Sequence, residues 1–152
     1  MANLYPYLNF ENTKEALEYY EEVFGATNIM RMPVEKEQAK NFGMPEMSDE
    51  ALANTTIHGG FTVLGANLFC SDSFGRKLES GNQISIMLDV NSEDEKAAKE
   101  ADEFFSKIAA SNTVDVRMPF ESQFWGGKMG EFVDKYGISW MLHSQPYSKL
   151  GM

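Results

Sequence analysis

The sequence predicts an α+β fold, in which paired βαβββ modules form a cupped, antiparallel-type sheet. Three observations carry that reading. Short, aromatic-rich runs with alternating character read as strands. Two longer runs place apolar residues at helical spacing. The order of elements then returns at an offset of 80 residues, Asn12 and Glu15 against Ser92 and Glu95.

The first strand is expected over residues 4–10. Asn12, with Glu15 three residues on, makes a capping-box start. Ala16, Leu17, Tyr20, Val23 and Phe24 form the apolar stripe of a helix, and Gly25 ends it. A strand over 28–33 follows, then a breaker-rich loop over 35–50. A hairpin over 54–64 and 67–70 turns at Gly65-Ala66. The second module repeats this: a strand over 84–90, a helix capped by Ser92, a strand over 113–118, and a hairpin around Tyr136-Gly137. Ala97, Ala98, Ala101, Phe104, Phe105, Ile108 and Ala109 are its helical stripe. Residues 1–150 are read as one domain, with modules at about 3–70 and 83–146 joined by 71–82.

One helix covers one face of a four-stranded sheet and leaves the other free. The modules are therefore expected to curl their uncovered faces around a cup. Strand parity sends Pro6, Leu8 and Phe10 to the helix, and leaves Tyr5, Tyr7 and Asn9 inward. In the second module Ile84, Ile86, Leu88 and Val90 face the helix, while Ser85, Met87 and Asp89 face the cup.

Composition bounds the partners. The chain has 152 residues and a formal charge of −10, from 13 basic and 23 acidic side chains. Such an excess repels phosphate backbones and anionic lipid heads, so neither nucleic acid nor membrane is an expected partner. Cys70 is the single cysteine, which excludes an intrachain disulfide and suits a cytoplasmic location. The N-terminus has no basic leader followed by an apolar run, and no signal peptide is read there.

The order of several motifs resembles a known family. Tyr7-Leu8-Asn9-Phe10, Glu15-Ala16-Leu17, Tyr19-Tyr20 and Val23-Phe24-Gly25 come first. His58, Leu68, Ser71-Asp72, Phe124-Trp125-Gly126, Asp134-Lys135-Tyr136-Gly137 and Trp140-Met141 follow. Together they look like the PhnB-like branch of the vicinal-oxygen-chelate superfamily, which includes glyoxalase I, extradiol dioxygenases and bleomycin- and fosfomycin-resistance proteins. The resemblance implies the glyoxalase/bleomycin-resistance fold and a homodimer. Residues 147–152 add an apolar tail suited to packing on a neighbour. Proteins of this branch are often described as 3-demethylubiquinone methyltransferases, yet no Gly-rich strand–loop–helix pattern occurs in this sequence.

Enzymes of the superfamily hold one divalent metal through imidazole and carboxylate ligands on the first and last strands of each module. The matching positions here are Tyr5, Ser85, Met141, and either Phe69 or Cys70. Phenol, hydroxyl and thioether groups are poor hard-metal ligands. The expectation is therefore no cofactor, with one divalent metal ion as the alternative.

Other candidates divide between two readings each. His58 is a pocket-facing group or a half-buried strand histidine bonded to backbone; a lone histidine without an orienting partner favours the second. His143 shares a parity face with Ser139 and Met141 and is a group at the cup rim or a solvent-exposed strand end, with the second favoured more strongly still. Trp125 is a wall for a planar ligand or a plug at the sheet edge. Asp72 orients a ligand or caps its own turn, with the turn favoured. The acidic run Glu93-Asp94-Glu95 reads as a helix start.

The resulting expectation is a small organic molecule held in an apolar cup by Tyr7, Asn9, His58, Ser85, Met87, Trp125 and Met141. The alternatives are a metal-dependent lyase, isomerase or dioxygenase, and a dimeric scaffold with a collapsed cup.

Overall fold

Sheet order, more than strand number, sets which side chains meet in this protein. The computed structural model describes residues 1–149. Its Cα framework divides into two compact units, Met1–Glu79 and Ser80–Met152.

The first unit runs β1 (Tyr7–Phe10), α1 (Thr13–Phe24), β2 (Thr27–Pro33), α2 (Lys36–Asn41), α3 (Asp49–Asn54), β3 (Thr56–Val63) and β4 (Ala66–Asp72). The second runs β5 (Ile86–Asn91), α4 (Glu95–Ala110), β6 (Asp115–Ser122), β7 (Lys128–Val133) and β8 (Ser139–Gln145), then a 3₁₀ turn at Tyr147–Lys149. The sheet orders are β1-β4-β3-β2 and β5-β8-β7-β6. Each unit is thus one βαβββ module. Both sheets are mixed: β1 pairs with β4, and β5 with β8, in parallel, while the remaining pairs are antiparallel. The parallel pairs arise because the last strand of each hairpin returns alongside the first strand of its own module.

In the first module α1 buries Ala16, Leu17, Tyr20, Val23 and Phe24. Tyr20 stacks on Phe61 at 4.9 Å. Leu8 and Phe10 are buried on the same side, as parity predicts. In the second, Ala101, Phe104, Phe105 and Ile108 of α4 are buried, as are Leu88, Phe132, Trp140 and Leu142 of the sheet. Each large apolar side chain so buried contributes about 1.5–3 kcal/mol relative to exposure, which fixes the helix to one face. Ala109, placed in that stripe from sequence, is exposed.

The helix ends separate prediction from structure. Asn12 accepts the Glu15 N–H, and Gly25 closes α1 in the left-handed region at φ 67°. In the second module the cap is Asp94 and not Ser92: its carboxylate accepts the N–H groups of Lys96 and Ala97. α4 thus starts two residues later than the offset of 80 places it. The first strands keep that offset, Leu8 opposite Cys70 and Leu88 opposite Leu142. The expected loop over 35–50 contains α2 and the start of α3. Val34, Ala39 and Leu52 bury there, with Met44, Met47 and Ile57 packed against them. Gly43 and Pro45 divide this stretch into helices of only six residues each, too short to show a period. Ile84, expected against the helix, precedes β5 and is 83% exposed. No helix among the described residues is long and apolar enough to cross a membrane.

Candidate functional site

The side chains of β1, β3 and β4 that point away from α1 form an aromatic group in the first module. Tyr7 and Phe69 stand opposite each other across the parallel pair. The Tyr7 hydroxyl lies 3.3 Å from His58 Nδ1. His58 stacks on Phe69 at 5.5 Å, and Tyr5 meets the Phe69 edge at 5.2 Å. Gly60 makes this packing possible, since a Cβ there would sit 3.2 Å from the Phe69 ring. His58 is thus a half-buried strand residue whose ring meets a side chain, the Tyr7 hydroxyl. Asn9 is exposed next to this group and accepts from the Ser71 hydroxyl at 3.4 Å. Exposed Met30 and Met32 extend the apolar surface on β2.

The equivalent face of the second module carries different chemistry. Met87 pairs with Met141, and Asp89 with His143, across β5 and β8. These positions match Tyr7–Phe69 and Asn9–Ser71 of the first module. His143 is not a solvent-exposed strand end: its side chain is only 12% exposed and lies 3.2 Å from Asp89. Trp125, from the β6–β7 hairpin, donates its indole N–H to His143 Nε2 at 3.3 Å. Its neighbour Phe124 is fully exposed. Ser85 lies before β5 and borders an open cleft of about 630 Å³, with Ser80, Asn82, Arg117, Glu131 and Ser139 on the same rim. Tyr7, Asn9 and His58 thus come together in one module, and Met87, Met141 and Trp125 share the other's free face.

Register settles which residue matches Met141 in the first module. It is Phe69, because Cys70 points to the helix side and is fully buried. Burial, then the nearby Asp72 carboxylate, push the Cys70 thiol up to about 12. The positions that the family resemblance assigns to metal ligands, Tyr5, Ser85, Met141 and Phe69, are thus a phenol, a hydroxyl, a thioether and a hydrocarbon ring. Among the described residues no three His, Cys, Asp or Glu side chains converge as a metal-holding group. That donor set does not fit a divalent cation.

Two acidic residues of the sequence motifs are structural. Asp72 accepts the Thr13 N–H at 2.9 Å and so caps α1 from β4, in place of the turn cap expected. Asp134 organises its own turn and takes the Trp140 indole N–H at 2.9 Å. Asp89 and His143 escaped selection as a pair because their meeting depends on a parallel register that a local pattern does not display.

Comparison with known proteins gives a consistent neighbourhood. The family described as 3-demethylubiquinone-9 3-methyltransferase matches residues 2–143. Protein YjdN of Escherichia coli (strain K12) is 27% identical over 152 positions, covering 92% of this chain and 93% of YjdN. The crystal structure of protein PA1353 from Pseudomonas aeruginosa is 29% identical, with TM-score 0.65, covering 96% of this chain and 99% of that one. The PhnB protein from Bacillus cereus is 25% identical, with TM-score 0.61, covering 94% of this chain and 99% of that one. Fosfomycin resistance proteins share the fold alone.

Proposed function

The chain belongs to the 3-demethylubiquinone-9 3-methyltransferase family, with a PhnB-like glyoxalase fold, and from that premise we propose that it binds a small organic molecule on the uncovered sheet face of its first module, without a metal ion. The observation that carries this reading is the group Tyr5, Tyr7, His58 and Phe69. Tyr7, on β1, is 50% exposed, and Tyr5, just before that strand, is 46% exposed, although both are large rings. Exposed apolar surface with a few polar groups marks a binding site more often than bare surface.

Roles follow from chemistry. The Tyr7 hydroxyl and the Asn9 amide supply hydrogen bonds. His58 and Phe69 offer a stacking platform. On its own free face the second module carries Met87, Met141 and Trp125 as a separate, adaptable apolar surface, and Ser85 adds a hydroxyl beside the cleft of that module. The family description names a methyl transfer. The β1–α1 joint is Glu11-Asn12 and the β5–α4 joint Ser92-Glu93-Asp94, so neither has the glycine-rich turn that cradles a nucleotide-type cofactor. Binding is therefore the function put forward, and the unsuited donor set supports the metal-free form of it.

A thermal-shift screen with planar and apolar compounds tests the reading. A ligand at a hundred times its Kd stabilises by about 2.7 kcal/mol, and Tyr7→Phe and His58→Leu are expected to reduce the shift. Silence from the whole library counts against binding. Metal analysis of protein purified without chelator is expected to find no stoichiometric nickel, zinc, iron or manganese. The same reading takes the protein as a cytoplasmic homodimer, for which sedimentation above the 17.1 kDa of one chain is the expected result.

A further inference from the structure

A second constellation lies on the free face of the β5–β8 pair. Asp89 and His143 stand directly opposite each other in register. His143 Nδ1 lies 3.2 Å from Asp89 Oδ1, close but outside hydrogen-bond alignment. Gln145 Nε2 donates to both Asp89 carboxylate oxygens at 3.0 Å, which fixes the plane of the carboxylate. On the far side of the ring, the Trp125 indole N–H points at His143 Nε2 from 3.3 Å. The glycine pair after Trp125 permits this: a Cβ on Gly127 would sit 3.2 Å from the indole nitrogen and 3.3 Å from His143 Nε2.

A neutral imidazole has one N–H and one lone pair. A donor aimed at Nε2 makes that nitrogen the acceptor, so the proton belongs on Nδ1, beside the carboxylate. A carboxylate at Nδ1 orients the ring and favours the tautomer with its proton there. Such contacts are commonly loose before a ligand draws them tight. Met87, Met129 and Met141 share this face with His143. Asp89 disfavours an anion there.

We infer that His143, oriented by Asp89, is a proton-accepting site for a neutral, flat molecule carrying an O–H or N–H group, and that the Trp125 indole holds the place of that group. The inference rests on the small-molecule reading for its occupant and adds the acceptor, the orienting partner and the gate. Trp125 sits on the β6–β7 hairpin and is 48% exposed, outside the buried core.

The chain has two histidines, so imidazole nitrogen NMR assigns both with one His58→Gln variant. In the wild type the neutral His143 ring is expected to carry its proton on Nδ1 and leave Nε2 bare, and Asp89→Asn is expected to mix the tautomers. Indole added to Trp125→Ala is expected to shift the Nε2 resonance, while 1-methylindole, lacking the N–H, is not. Trp125→Phe, which keeps a ring but no donor, is expected to shift Nε2 without indole. A neutral wild-type ring with its proton on Nε2, or no indole response in Trp125→Ala, overturns the inference. Those results leave the wild-type thermal-shift screen standing. A silent screen together with an indole response in Trp125→Ala would instead overturn the wider reading and uphold the acceptor.

Discussion

Asp134 accepts the indole N–H of Trp140 at 2.9 Å, and both residues are buried. The other carboxylate oxygen takes the backbone N–H groups of Tyr136 and Ile138 at 2.8 and 3.1 Å. One side chain thereby closes the β7–β8 turn and satisfies the largest ring in the core. Leaving a buried donor unmatched costs about 1–3 kcal/mol, and the turn adds to that. Asp134→Ala is expected to lose about 3 kcal/mol of stability, read as a lower urea midpoint at unchanged slope. Asp134→Asn keeps one acceptor oxygen and is expected to lose less.

Asp72 predicts a smaller and separable effect. Its carboxylate caps the first turn of α1 at Thr13 N, while Asn12 caps Glu15 N. Asp72→Ala removes one of two caps and is expected to cost about 1–2 kcal/mol. Because α1 carries Tyr20 and Phe24 into the core, amide exchange should accelerate first at the N-terminal turn of α1. Uniform exchange throughout the module would show that the carboxylate does something other than cap.

The sequence displayed whatever depends on local pattern, and hid whatever depends on pairing. Strand parity sends Leu8 and Phe10 to the helix and Tyr7 to the opposite face because alternation is a property of one strand. The cap of α1 was visible because Asn12 and Glu15 are three residues apart. Asp94 was missed because Ser92 fitted the repeat, and the structure instead spends two more residues in the turn. The free-face partners of Tyr7 and Asp89 depend on the β1–β4 and β5–β8 registers, which span most of a module. No spacing rule reaches that far, so Phe69 and His143 were legible as residue types and not as neighbours.

Gly130 tests the packing of α4 on its sheet. A Cβ there would lie 2.6 and 2.9 Å from the Phe105 ring and 3.0 Å from the backbone of Phe120. The clash falls on a buried ring, and backbone stands behind it. Gly130→Ala is expected to destabilise by about 1–3 kcal/mol through overpacking. Combining it with Phe105→Leu should recover part of the loss, a non-additivity that a double-mutant cycle in urea measures. Strict additivity would mean that the ring is not what the new methyl meets.

Cys70 carries the pH prediction. The thiol is fully buried on the helix side of β4, and burial followed by the Asp72 charge raises it from 9.0 to about 12. Below pH 9.0 both folded and unfolded chains keep the proton, so the thiol gives no slope. Above that value the unfolded chain releases a proton that the folded chain holds until about pH 12, and stability falls across the window. Cys70→Ala lacks this linkage. Its urea midpoint is expected to start below that of the wild type at pH 7, because a small cavity opens. The gap is then expected to narrow as the pH rises past 9.0. A gap that stays constant to pH 11 would place the folded thiol near its ordinary value. The thiol should also resist a disulfide reagent at pH 8 until urea unfolds the chain, since only the thiolate attacks.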